Sequence, residues 1–554
     1  MKRRDFVKTV AMSGMAVAAS DLVGDLIAQT PQGKVLDSKF KGLSDIALGE
    51  AKTQGCTYAD IRFTRSTNSG VNATGGNREF DDFGGGFGGR GGGRGGRGGG
   101  RGGGGFGGFG GAGAAGPSGA AGFGVRVIHS GVWGFASSPI VTEDEIRRIT
   151  RMATEVAKAS AIAKRMDVKL APVPAYTEYW ASPFEKDPRS MSQDDKQAFV
   201  QKVVDAVVKT KEVTNVNVSV QLEHEWKYFA SSEGSYIEQE IFTTTPSFTV
   251  TARKDGQTRS RTFSGIAMTG GWEVAEAAKM LDNAERIAAE AVEFCTAKPV
   301  EMGVKDLVLT PSHAMLTIHE IVAHATELDR ILGYEANYAG TSFVKLSDVG
   351  KLKYGSRLFN VTADKTRRGG IGTVGYDDDG VKTQEWPIVR DGILVGLQTN
   401  REMAHLIGEK ESRGCTQANS WRDYPFLRMP NVHVDPGPAG SPNPDDIIAD
   451  TKDGVLIDGR GSYSIDQQRY NGQFGGNAFW EIKNGKKTRM VTNVTYNAIT
   501  TDFWGNLDAI SGKESWEMHG TGGDAKGQPT QTNSISHGSP YLRIRKILVG
   551  AAYA

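Results

Sequence analysis

The chain has 554 residues, 65 Lys and Arg against 64 Asp and Glu, and a formal net charge of +1. That length supports a sizeable core and more than one domain, and the balanced charge excludes a global basic field of the kind that gathers nucleic acid. Three cysteines, Cys56, Cys295 and Cys415, are too few and too far apart for a disulfide framework or a C-x-x-C zinc motif, and read as buried or incidental thiols.

The N-terminus, "MKRRDFVKTVAMSGMAVAAS", has a basic start followed by a short run of Ala and other small residues. Such a run is too short to cross a bilayer, which takes about 20 apolar residues, and reads as a signal peptide over 1–28. Arg3 and Arg4, followed by Asp5, Phe6, Val7 and Lys8, resemble the twin-arginine export signal. The expectation is an exported protein, periplasmic or at the bacterial cell surface, cleaved after Ala19 or Ala28. No later segment is long and apolar enough to span a membrane.

"SDIALGEAKTQG" predicts a short amphipathic helix and "YADIRFTRSTNSGVNATG" predicts strand. The next segment, Asp82 to Gly122, is mostly glycine, and ordering glycine costs the most backbone entropy, so a structureless loop is expected between two strands. Its Arg90, Arg94, Arg97 and Arg101, with four phenylalanines, resemble RNA-binding RGG segments. Four cations give a weak field and an exported protein meets little RNA, so an insertion is the preferred reading and no nucleic-acid partner is expected. Strand resumes at "GVRVIHSGVWGFASS". Thr142-Glu-Asp-Glu145 is a capping box for a helix whose apolar positions Ile146, Ile149, Met152, Ala153, Val156 and Ala157 follow helical spacing, and Ser192 to Asp195 opens another. Strands follow, then a helix over "WEVAEAAKMLDNAERIAAEAVEFC". This pattern predicts a mixed α/β N-terminal domain over 29–300.

The second half, 301–554, opens with the strand "VKDLVLTP" and a helix that Ser312 is placed to cap. Beyond Gly333 the pattern is mostly β, with hairpin turns at "RDGIL" and "KNGKK". The expected class is therefore α+β in two domains, the second carrying one prominent helix. That helix holds "LTIHEIVAHATELD", with His319, Glu320 and His324. It departs from the zinc-peptidase signature H-E-x-x-H by one residue. Histidines at i and i+4 sit roughly 40° apart around a helix, whereas i and i+5 sit roughly 140° apart. A shared metal therefore predicts a π turn between them that absorbs the extra residue. The residue types suit a metallopeptidase: neutral imidazoles bind zinc, and Glu320 beside the first ligand is placed as general base for an attacking water.

The sequence "LVLTPSHAMLTIHEIVAHATELD" resembles the TldD/PmbA family of peptidases, whose metal-bearing members carry H-E-x-x-x-H. Further matches run in chain order: "GVRVIHSGVWGFAS", "DDDGVKTQEWPIVRDGILVGLQTNREMA", "YPFLRMPNVHVDPG" and "SHGSPYLRIRKILVGA". The resemblance implies a Zn2+ peptidase acting on extended or unfolded peptides inside a dimer cavity, as a homodimer or with a metal-less PmbA-like homologue. It implies His319 and His324 as zinc ligands, Glu320 as base, and Glu327 as a group that orients an imidazole. One departure matters: the family's third ligand is a cysteine near the C-terminus, and "MHGTGGDAKGQPTQTNSISHGSP" contains none. Asp524 aligns there, with His519 as the alternative; a gapless alignment brings Lys526, a poor ligand, and His537 is read as a non-ligand. A chain without the third ligand would instead be a catalytically silent partner or a substrate-binding subunit. Asp377, Asp378 and Asp379 read as a solvated turn rather than a calcium loop, and His129, His224, His313, His405 and His433 as structural or surface residues.

Overall fold

The computed structural model describes residues 35–77, 118–264 and 267–551. The export signal and residues 82–117 of the glycine-rich insertion lie outside them. The class is α+β, with long antiparallel sheet and peripheral helices in the first half and a β-rich second half.

The first sheet has eight strands, ordered Val132–Ser138, Ser118–His129, Tyr58–Gly75, Val213–Ser231, Tyr236–Lys254 and Thr177–Ala181, with Gln257–Ser264 and Met268–Thr269 also on Tyr236–Lys254. Residues 118–122, expected to be loop, are already strand: Gly119 and Gly122 pair with Thr67 and Thr64. Pairing with a formed neighbour offsets the entropy that glycine loses on ordering.

Alternation decides what the sheet buries. Val216, Val218, Val220, Trp226, Tyr228 and Ala230 share one face of Val213–Ser231, and helices cover it. Helices Lys39–Thr53 and Glu143–Ser160 pack Phe40, Ile146 and Ile149 against Phe63, Phe123 and Tyr228. Helices Gln193–Val207 and Met280–Thr296 pack Val200, Val203 and Ile287 against Val216, Val218 and Val250. The expected caps at Thr142 and Ser192 are present, each accepting from the amide three residues on. The single helix expected over 272–295 is broken into Glu273–Ala277 and Met280–Thr296 by Lys279, whose φ of 52° lies in the left-handed region.

The second half is built on a ten-stranded sheet whose centre reads Leu542–Ala551, Gly303–Leu309, Asp453–Asp458, Ala478–Lys483. Gly303–Leu309 and Asp453–Asp458 are parallel and the flanking pairs antiparallel. Both expected hairpin turns form, with Asp391-Gly392 and Asn484-Gly485 at positive φ. A separate two-stranded ribbon, Glu517–Lys526 with Gln531–Ser539, packs against the helix that leaves Gly303–Leu309.

The sheet of the first half meets the second half through charge. Asp377, Asp378 and Asp379 are not a solvated turn; all are at most 5% exposed. Asp378 faces Arg62 and Lys227, and Asp379 faces Arg126, which also holds Asp60 at 2.7 Å. Asp377 accepts the amides of Asp379, Val381 and Thr416. Polarity alone misplaced the turn, because the cations that neutralise it sit some 150 to 320 residues away in sequence. Gly122 and Gly124 let the loop carrying Trp421 settle on the sheet: a Cβ at Gly122 would lie 2.5 Å from the Trp421 ring.

Candidate metal centre

The strand Gly303–Leu309 runs through Thr310 into a helix over Pro311–Ile318, with Pro311 at its first position, where a missing N–H costs nothing. Thr310 occupies the cap position. Ser312, expected as the cap, instead donates to Asp458 Oδ1 at 2.6 Å and ties the helix start to the parallel strand. From Ala314 to Arg330 every residue is buried, so the helix lies inside the domain rather than on it.

His319–Ala323 forms a π turn, closed by the His324 N–H donating to the His319 carbonyl five residues back. The imidazoles thereby come together, with ring centroids 4.6 Å apart. The histidines therefore share one side of the helix despite their i, i+5 spacing.

Asp524 arrives from the ribbon. The pairing of Glu517–Lys526 with Gln531–Ser539 shifts register between Thr521 and Asp524, where Gly523 takes a φ of 77°. Asp524 Oδ1 lies 3.5 Å from His319 Nε2 and 3.3 Å from His324 Nε2. These potential ligand atoms all lie within 4.8 Å of one another, and all three residues are buried.

Hydrogen bonds behind the cluster decide which atoms face it. The Val432 carbonyl accepts from His537 Nδ1, so the neutral His537 ring presents Nε2 as an acceptor. His319 Nδ1 donates to that nitrogen at 2.9 Å, leaving the His319 Nε2 lone pair toward Asp524. Burial, with His319 alongside, pushes His537 well below the usual imidazole range, consistent with a neutral acceptor. Glu327 Oε2 likewise accepts from His324 Nδ1 at 2.8 Å, leaving the His324 Nε2 lone pair inward. Arg428 donates to Asp524 Oδ2 at 2.9 Å, leaving Oδ1 inward. Burial opposes ionisation of Asp524, but its charged surroundings, the Arg428 guanidinium among them, outweigh it and hold the carboxyl well below the usual range. Two imidazole lone pairs and a carboxylate oxygen thus converge with no protein cation between them, a donor set that fits zinc.

The remaining candidates fall outside this trio. Lys526, discounted as a ligand, is fully buried and donates to Glu327, Asp329 and the Leu427 carbonyl at 2.7 to 2.9 Å. It and Arg330 neutralise Glu327 and hold its carboxyl well below the usual range despite burial. His519 is not in the trio; its Nε2 meets Glu517 at 3.1 Å. His537, read as a non-ligand, positions His319, a role that no spacing signal in the sequence marks. Glu320, 3% exposed, is held through Oε2 by Arg469 Nη1 at 2.8 Å. Arg469 reaches it from a hairpin tip at a φ of 62°, and its Nε is buried without a partner. Sequence reasoning missed Arg469 and Arg428 altogether: each lies about 100 residues or more from the group it holds. Of the histidines read as structural, His313 is buried between the Gly459 carbonyl and the Tyr496 hydroxyl, and His433 is buried. The three cysteines are free thiols, two of them buried. No helix among the described residues is long and apolar enough to cross a membrane.

Comparison with known proteins places this geometry in context. Residues 303–551 match the PmbA/TldA metallopeptidase C-terminal domain, 186–297 the central domain, and 115–159 domain 1. A metalloprotease of Methanocaldococcus jannaschii is 27% identical over 70% of this chain and 83% of its own length. A zinc metalloprotease TldD homolog of Saccharolobus solfataricus is 22% identical over 77% of this chain and 90% of its own. Among solved structures, a putative modulator of DNA gyrase from Thermotoga maritima superposes with a TM-score of 0.69 at 14% identity, covering 92% of this chain and all of the other. TldE from Thermococcus kodakarensis superposes at 0.63 and 15% identity, covering 91% and 99%. Domain matches across most of the chain, full-length relatives and a shared fold lead to one conclusion: the chain belongs to the PmbA/TldD family of metallopeptidases.

Proposed function

We propose that this chain is an exported zinc peptidase in which His319, His324 and Asp524 hold the metal and Glu320 is the general base. The observation that carries the reading is the convergence of His319 Nε2, His324 Nε2 and Asp524 Oδ1. A zinc ion held there would act as a Lewis acid and lower the pKa of a coordinated water towards about 7. The chain's own residues do the rest. Glu327 and His537 fix the imidazole tautomers, and Arg428 turns one Asp524 oxygen away. Glu320 Oε2 is held by Arg469, which leaves Oε1 as the atom that receives a proton and returns it to the leaving amine. A carboxylate where the family resemblance implies a thiolate would make the site harder and more tolerant of manganese or iron. The names of the relatives support protease chemistry; extended peptides as substrates, a dimer cavity shared with a second copy or a PmbA-like homologue, and export by the twin-arginine route complete the proposal. The alternative of a silent partner subunit draws on the missing cysteine, and the intact N,N,O set weighs against it.

Metal analysis by mass spectrometry on protein purified without chelator tests the reading. About one zinc per chain is expected, lost in His324→Ala and retained in Glu320→Gln, with peptide hydrolysis lost in both. Folded protein without metal would favour the silent-partner reading, and full activity in Glu320→Gln would remove Glu320 from the mechanism.

A further inference from the structure

A cleft of about 650 Å3 opens between the first sheet and the second half of the chain. Its walls include Trp133, Tyr334, Tyr424 and Phe426, and it reaches Asp329, whose carboxylate is bonded to Lys526 behind the metal cluster. That volume suits one peptide side chain with its flanking backbone.

The charges lining the cleft do not cancel. Asp379 is neutralised by Arg126 and Asp329 by Lys526. Glu335, Glu402 and Asp423 also line it, and among the described residues none has a cation within ion-pair distance; Arg422 is the one further cation in the wall. Glu402 stands beside the aromatic walls of the cleft. The Trp133 Nε1–H donates to it at 3.2 Å, and burial pushes its carboxyl above the usual range. Tyr334 and Tyr424 line the same space as Glu402. The rings also suit a cation: the Arg126 guanidinium already lies 4.9 Å over Trp133 and 5.9 Å over Tyr424.

We propose that this cleft binds the cationic side chain of an arginine or lysine within a peptide, with Glu402 as its counter-charge and the aromatic walls as its lining. A guanidinium or ammonium there would relieve the desolvation of Glu402 and gain a charge-assisted hydrogen bond. That the bound peptide is a substrate rests on the peptidase reading; the binding itself does not.

The test is calorimetric titration of the metal-loaded Glu320→Gln protein, in which the peptide survives, with acetyl-Gly-Ala-Arg-Ala-amide and its uncharged citrulline isostere. The arginine peptide should bind at least about tenfold more tightly, and adding Glu402→Gln should shrink the preference to less than about threefold. Equal affinity for the two peptides in the parent, absence of binding by either, or an unchanged preference after Glu402→Gln would each overturn the proposal. A wild-type protein that hydrolyses neither peptide but keeps the arginine preference would overturn the peptidase reading and leave this one standing.

Discussion

Asp524 and Asp379 are both buried carboxylates, yet they sit in opposite electrostatic situations. Asp379 faces a buried guanidinium at 2.8 Å, and its neighbour Asp378 lies near both Arg62 and Lys227. Those charges are satisfied by the protein itself, so the cluster joins two parts of the chain. Asp524 has one oxygen satisfied by Arg428 and the other turned toward two imidazole Nε2 atoms at 3.3 and 3.5 Å. Among the described residues, no protein cation lies between those three atoms. The difference teaches that burial of acids does not by itself mark a candidate metal site; buried donor atoms that converge with no internal cation between them do.

Four changes press on that contrast. The largest effect is expected from Asp524→Asn, which should lower metal affinity by more than the roughly 100-fold that an outer partner costs, and should also lower the stability of metal-free protein because the buried Arg428 loses its counter-charge. Competition with a chelator reads the first and urea unfolding the second; unchanged metal affinity beside lost stability would mean that Asp524 is a structural ion-pair partner only. Arg126→Ala should act on stability alone, destabilising the fold by about 3–5 kcal/mol by stranding Asp60 and Asp379 while leaving metal affinity unchanged.

His313 gives a pH-dependent version. Burial lowers its pKa from 6.5 to about 4, so the unfolded chain takes up the proton more readily than the fold. Its contribution is fully present above pH 6.5 and is lost as pH falls towards about 4, a change of about 3 kcal/mol. Unfolding free energies measured across that window should show the loss in wild type and a flatter profile in His313→Gln. The smallest effect is expected from Glu327→Gln, which weakens the hold on His324 Nδ1 and should reduce metal affinity by about 10- to 100-fold while keeping one metal per chain at saturation. Stoichiometry by isothermal titration separates that outcome from loss of a direct ligand.

Local features of this chain follow from its residues because their physics is local. The i, i+5 spacing of His319 and His324 demands a π turn if both face one point, and the His324 amide bonds five residues back. Asp-Gly and Asn-Gly make the expected hairpins because those residues tolerate positive φ, and Thr142 and Ser192 cap helices through their own hydroxyls. Tertiary structure decided the rest. It selected Asp524 over His519, because a bulge at Gly523 and the packing of the ribbon on the motif helix set which side chain reaches the imidazoles. It gave His537 and Lys526 positioning roles and buried Asp377–Asp379 against cations from a distant sheet. Those outcomes depend on contacts between residues some 100 to 300 positions apart, and no pattern confined to neighbouring residues encodes such a meeting.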